Sequence, residues 1–477
     1  MLAYEDADRW ALRAIETAGS AAPAALRCDA LLLRSDSQRA LGNRVDARAA
    51  ASEAADVARA SSDPLLLARA AEGLALARAG LGFDFGTEDP GLDALLEEAL
   101  RALPADATSH RARLLGASMS NAAADGDTAR MDRLGNLIAH LPDAETHPVL
   151  VATVHLARRM AEWRLRTLDE RVADDRAAAD AARRAHNASL ELNALLYGIT
   201  DLTEAGLISE AAEWFERFRT RAADVRQPVY DAFVLFIDAT LTLLQGDYER
   251  STRLVDAALE LGRKSHGSNA EHAWAGHMFV QAWDQGRLAS LLPVLEGMEG
   301  PGGLPIWDIA RAASGLAAGQ TDAAHATLAA LVDDEVHISD NSLWLTSVGL
   351  LVEVARAVGD TERCEVLLRE LTPYEGRIGI SGLGRVSIGP VARFSGVAAL
   401  VTGQYERADR LFDLSARQCR ELAAVPVLAS NHHDWATVKS ALGDEGAAVR
   451  LADRARELAD RVGMVLGDLT VTAAATH

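Results

Sequence analysis

Apolar residues return along this chain in a fixed relation to glycine. The phrases "ALGNRVDA", "DGDTARM", "AGLISEAA", "QGDYERS", "QGRLASL", "AGQTDAA", "VGDTERC", "TGQYERA" and "LGDEGAA" share one plan. Five positions after the glycine stands a small residue in six of the nine cases: Ala47, Ala211, Ala324, Cys364, Ala408 and Ala448. Large apolar residues follow one turn later, as Trp214/Phe215, Leu254/Val255, Leu367/Leu368 and Leu411/Phe412. This pattern predicts one helix that ends at the glycine and a second that begins within a few residues. Glycine readily takes the left-handed conformation that closes a helix. The small residue lets the two helices approach, and the large ones form the packing face of the second.

The nine glycines are Gly42, Gly126, Gly206, Gly246, Gly286, Gly319, Gly359, Gly403 and Gly443, at steps of 84, 80, 40, 40, 33, 40, 44 and 40 residues. The first two are double steps, divided by Gly80 or Gly82 and by a degenerate turn near Arg166. A period of about 40 residues belongs to helix-hairpin repeats. The expected fold is all-α, a right-handed tetratricopeptide-like α-solenoid of about ten to twelve hairpins. It would occupy the chain as a single domain, 1–477, divisible into lobes 1–190 and 191–465, with 466–477 a frayed tail. Two stretches break the rhythm. "GLGFDFGTEDPG", from Gly80 to Gly91, reads as a loop carrying Phe83 and Phe85. "PYEGRIGISGLGRVSIGP", from Pro373 to Pro390, reads as a long connection crossing the edge of the solenoid.

Composition supports helices and narrows the partners. Ala and Leu, the leading helix formers, abound, and no window is dominated by β-branched residues. The net charge is 48 − 69 = −21, so the body of the protein repels phosphate backbones and nucleic-acid binding is not expected. Lys264 and Lys439 are the only lysines, and this Arg-for-Lys bias suggests a high-GC bacterial genome. Cys28, Cys364 and Cys419 lack metal-ligand spacing and read as buried thiols of a reducing cytoplasm. The charged start "MLAYEDADRW" does not read as a signal peptide, and no apolar run of about 18 residues is present to span a membrane.

The order of several longer phrases resembles a known class. "RQPVYDAFVLFIDATLTLLQGDYERSTRLVDAALELGR", "GLPIWDIARAASGLAAGQTDAA" and "NSLWLTSVGLLVEVARAVGDTERCEVLLRELTPYEGR" are examples, as is "IGPVARFSGVAALVTGQYERADRLFDLSARQ". They look like the tetratricopeptide C-terminal half of large bacterial ATP-binding regulators, of LuxR type or carrying adenylate cyclase domains. The likeness runs from about Ala3 to Met464. Neither lysine follows a glycine as a P-loop requires, and no basic helix-turn-helix follows the last repeat. The resemblance implies a binding and sensing half that recognises a protein partner or a small effector in a concave groove. No cofactor is implied.

Candidate contact residues fall on the first helices of the repeats. Trp274, His277, Gln281 and Asp284 stand at i, i+3, i+7 and i+10, one line along a helix suited to ligand contact or to packing between repeats. Tyr230, Trp307 (with Arg311 beside it) and Trp344 take corresponding places in neighbouring repeats, and could stack along a groove or cap its core. In "NHHDW", His432, His433 and Asp434 form a polar patch, but adjacent helical residues point about 100° apart and cannot chelate one ion, so no metal site is expected. Arg377 and Arg385 could clamp an anion from the glycine-rich stretch, whose glycines do not fit a dinucleotide fingerprint. A reading of a different class is an enzyme, a cyclase or hydrolase of natural-product biosynthesis, with His277/Asp284 or His433/Asp434 as acid and base. A third is a homodimeric scaffold paired through its terminal hairpins.

Overall fold

The computed structural model describes residues 2–19, 21–79, 89–125, 127–141, 148–161, 167–265, 268–296 and 304–469. Among these the chain forms 23 α-helices, eleven pairs and one over. The expected loop with Phe83 and Phe85, the glycines Gly80, Gly82 and Gly126, and the turn at Arg166 lie outside the described residues.

All eight described repeat glycines, from Gly42 to Gly443, hold a positive φ between 63° and 83°. After each, the next residue's N–H reaches back to a carbonyl five residues earlier: Asn43 to Gln38, Leu207 to Leu202, Asp360 to Ala355 and Asp444 to Lys439 are typical, at 2.8–2.9 Å. That bond satisfies a helix-end carbonyl left open by the α-helical pattern. Where the next residue is aspartate, its side chain then caps the second helix. Asp247, Asp360 and Asp444 accept the N–H of Arg250, Arg363 and Ala447 at 2.9–3.1 Å. A Gly-Asp dipeptide thus stops one helix and starts another.

The pairs so joined include Ala24–Ala40 with Arg44–Ser61, Pro228–Leu244 with Tyr248–Ser265, and Pro305–Ala317 with Asp322–Leu331. Trp344–Val358 pairs with Thr361–Leu371, Val391–Val401 with Tyr405–Glu421, and Val425–Ala441 with Glu445–Val462. After Ser268–Asp284 the second element shortens to a 3-10 turn, Leu288–Leu291, and a five-residue helix, Leu292–Glu296. All six small residues five places after the glycine are buried. So are Trp214, Phe215, Val255, Leu367, Leu368, Leu411 and Phe412; Leu254 is half-buried.

The chain divides into two compact units. One comprises residues 1–198, 213–235 and 257–272, and the other 199–212, 236–256 and 273–477. Within the first, Ala24–Ala40, Pro64–Ala79, Thr108–Asp125 and Pro148–Ala161 pack each against the next, with the intervening helices filling between. Within the second, Pro305–Ala317, Trp344–Val358, Val391–Val401 and Val425–Ala441 repeat the arrangement. Within each of these runs a helix meets its neighbours in sequence, the way helical repeats build a core. Trp344–Val358 is buried from Trp344 to Ala355, whereas Tyr405–Glu421 buries one stripe, Ala408, Leu411, Phe412, Ser415, Ala416 and Cys419. Trp344–Val358 is thus enclosed, and Tyr405–Glu421 is amphipathic.

One expectation fails. The stretch Pro373–Pro390 is not an edge connection but a buried antiparallel hairpin, β1 (Ile378–Ser381) paired with β2 (Val386–Pro390). Gly382, Leu383 and Gly384 turn between the strands, all with positive φ. A helix-based reading misses this because the alternation Val386, Ser387, Ile388 is too short to stand out beside long helical periods. The hairpin fits because a neighbour lacks a side chain: a Cβ on Gly276 would come within 2.9 Å of Val386. The three cysteines are free and buried, and burial pushes the Cys364 and Cys419 thiols up to about 12. Among the described residues no helix is long and apolar enough to cross a membrane. Leu469 is buried, and 470–477 lie outside the described residues.

Candidate functional site

The line Trp274–His277–Gln281–Asp284 is real as a helical face, and three of its four members meet side chains of neighbouring helices. Trp274 Nε1 donates to Asp256 at 2.8 Å, and Gln281 accepts from the Thr252 hydroxyl at 2.9 Å. His277 is buried, its Nε2 3.4 Å from the Thr240 hydroxyl, which donates at 2.8 Å to the Arg385 carbonyl in the hairpin. Arg385 is buried as well, its guanidinium 5.9 Å from the Phe236 ring and bonded to the Gly382 carbonyl. The hairpin thus docks through its backbone onto Pro228–Leu244, and Arg385 is tied into the turn rather than held out for an anion.

Tyr230, Trp307 and Trp344 are also buried. Tyr230 meets Phe218 edge-on at 6.2 Å, and Trp344 meets Tyr374 likewise at 5.5 Å. Arg311 bonds Asp308 and the Leu295 carbonyl, and Arg377 pairs with Glu204 at 2.8 Å. These aromatics act as core plates within their own units.

The "NHHDW" patch lies on Val425–Ala441 as expected, and the structure separates its members. His432 is buried and stacked on Trp435, with centroids 6.1 Å apart, while His433 is half-buried. Asp434, 2 % exposed, accepts from Arg356 at 2.7 Å and from Arg393 at 3.2 Å. Arg393, 5 % exposed, also donates to Glu353 at 2.5 Å, and Arg356 lies 3.7 Å from Glu353. Four charges from three successive first helices therefore close a ring with no net charge. Sequence reasoning missed Glu353, Arg356 and Arg393. The available signal was a charge set inside an otherwise apolar run, as in "GLLVEVARAV" and "GPVARFSGVAAL".

Arg393 also forms one wall of a cleft in the second unit, about 40 Å³ of space open to the centre of a water molecule. Val280, Trp283 and Asp284 come from the end of Ser268–Asp284, and Leu243 and Leu244 from the end of Pro228–Leu244. Ile388 and Phe394 line it beside Arg393, and Val427 and Ser430 close another side. Met464, Val465, Gly467 and Asp468 run along it after the last helix, with Val465 N–H bonded to the Asp284 carbonyl at 2.8 Å. Asp284 is thus the one member of the sequence-selected line that faces a cavity. Its carboxylate accepts the Tyr248 hydroxyl at 3.2 Å. Burial pushes this carboxyl up to about 7, against smaller downward pulls from Tyr248 and Arg393. His277 and Asp284 keep separate partners, so they do not form an acid–base pair, and Asp434 is engaged by Arg356 and Arg393.

The buried imidazoles make a pH prediction. Burial holds His277 down at about 4, against a raising hydrogen bond from the Arg385 backbone. Burial, then Arg420 and Arg454, hold His432 down at about 4. An unfolded histidine titrates near 6.5. The unfolded chain therefore takes these protons first, so this stability is full above about pH 6.5 and is lost as pH falls toward 4, by up to about 3 kcal/mol per histidine. Asp284 works in the opposite sense: with its folded value raised, stability falls as pH climbs from about 4 to 7. His277→Gln should lose less stability than the parent in urea denaturation between pH 7.5 and 5. Equal losses would exclude a neutral buried imidazole as the cause.

No protein-family model matches this chain, and no curated protein matches its sequence significantly.

Proposed function

We propose that the chain is a helical-repeat binding protein that senses a small effector in the cleft around Asp284, in a regulatory or signalling role. Asp284 carries this reading. The half-buried Asp284 lines the cleft with Trp283, Val280 and Leu243, and Arg393 on the same cleft is already committed to Glu353 and Asp434. Such a group costs stability and is kept where it serves a site. The likeness of the repeat phrases to the sensing halves of bacterial ATP-binding regulators supports the regulatory role, and three buried free thiols suit a reducing cytoplasm. Tetratricopeptide-like hairpins serving a protein partner, or a homodimer, fit the same repeats but lack a comparable group in a cavity.

Thermal-shift screening of the full chain against a metabolite panel tests the reading. At least one small molecule should raise the melting temperature, and Val280→Trp, which fills the cleft, should abolish that rise. A panel with no hit, or a hit indifferent to Val280→Trp, removes the cleft as the sensing site.

A further inference from the structure

One wall of the cleft differs in kind from the rest. Most of its lining comes from helices and from β2, whereas Met464, Val465, Gly467 and Asp468 belong to an extended strap that follows Glu445–Val462. Gly463 and Gly467 bracket the first part of the strap at φ of 70° and 144°. Glycine tolerates both values, and such residues absorb the backbone changes of a hinge. Val465 N–H holds the strap across the cleft by its 2.8 Å bond to the Asp284 carbonyl. That carbonyl ends Ser268–Asp284 and is a group that water can satisfy instead. Release of the strap therefore exchanges a bond to protein for a bond to water, at small net cost. Other contacts keep the strap seated at rest. Met464 packs with Ala429, Leu458 and Ala459, and Leu469 is buried. Against burial, which pulls the Arg356 pKa down, Asp434, Glu353 and lastly Asp468 hold it above its ordinary value, so the strap also leans on the charged ring.

The space left under the strap is small. The cleft offers about 40 Å³ to the centre of a water molecule. One water needs about 10–15 Å³ in that measure, so roughly three fit, and a larger metabolite enters only if a wall moves. Resting on the effector-binding reading, we infer that Met464–Leu469 is a gate: seated, it excludes the effector, and swung out on Gly463 it admits one against Trp283, Val280 and Phe394. Asp284 joins the two states, since its side chain lines the cleft while its carbonyl holds the strap. Gate and ligand compete for one space, so apparent affinity is reduced by the fraction of molecules that stand open. Loosening the strap therefore tightens binding, and a bound ligand keeps the strap out.

The test uses the full chain and a neutral apolar dye, N-phenyl-1-naphthylamine, whose fluorescence rises in apolar sites. Val465→Pro removes the N–H that holds the strap. It should keep the helical circular dichroism and bind the dye about 10-fold more tightly or better, the scale of an open state populated at 10 % or less. Adding Val280→Trp should return binding to the parent level. Equal affinity of the parent and Val465→Pro overturns the gate. So does a gain that Val280→Trp leaves intact, because the dye then sits elsewhere. Hydrogen exchange of the parent is the second arm, and it decides alone if Val465→Pro loses its helices. The Val465 amide should exchange by local opening, before the amides of the enclosed helix Trp344–Val358. Exchange of Val465 only together with that helix makes the strap a fixed wall and overturns the gate. Gated dye binding without a metabolite hit in the thermal screen keeps the gate and removes the sensing proposal. A metabolite shift sensitive to Val280→Trp, with equal dye binding by the parent and Val465→Pro, does the reverse.

Discussion

Asp434→Ala is expected to cost about 3–5 kcal/mol of stability, far more than a typical surface substitution. The variant leaves Arg356 and Arg393 facing each other across a site where Asp434 was 2 % exposed and accepted from both. Neither guanidinium can shed its proton, and Arg393 is only 5 % exposed. The cost comes from the uncompensated charge more than from the lost bonds. Replacing the whole ring with apolar residues, Glu353→Met, Arg356→Met, Arg393→Met and Asp434→Leu together, should therefore recover most of the loss. Urea denaturation followed by circular dichroism compares the two variants. A fourfold variant no more stable than Asp434→Ala would mean that the ring is needed for packing as such, and that its charges are incidental.

Much of this fold was written in the chain, and the reason is local. A glycine with positive φ, an aspartate cap and a small residue five places on are each decided within one turn of their neighbours, so Gly359, Asp360 and Cys364 carry their meaning without distant contacts. The hairpin Ile378–Pro390 was not legible because its strands are short and are stabilised by helices far away in sequence, through Thr240 and the space left at Gly276. The site was partly legible. Helical spacing placed Trp274, His277, Gln281 and Asp284 on one face, but spacing cannot say that Asp256, Thr240 and Thr252 occupy the first three while the fourth meets a cavity. The ring is illegible for a related reason. Glu353 and Asp434 are 81 residues apart, and only the stacking of three first helices brings them to the same two arginines.

The same local logic sets a graded series at the repeat glycines. Gly403→Ala and Gly443→Ala place a Cβ in open space, so the added strain is that of an L-residue held at φ of 70° or 82°, about 1–2 kcal/mol. Gly246→Ala carries that strain at φ of 81° and a clash as well, since its Cβ would lie 2.6 Å from Val462 Cγ1 and 2.7 Å from Val462 Cβ. Overpacking of this kind adds about 1–3 kcal/mol. Gly246→Ala should therefore lose about 2–5 kcal/mol, clearly more than the other two. Val462→Ala in the same chain should return it to the level of Gly403→Ala, once the loss from Val462→Ala alone is subtracted in a double-mutant cycle. Three equal losses would show that the turn conformation alone governs these positions. A Gly246→Ala loss that Val462→Ala does not relieve would mean that Glu445–Val462 does not press on this turn, and the close approach of Val462 to Gly246 would have to be abandoned.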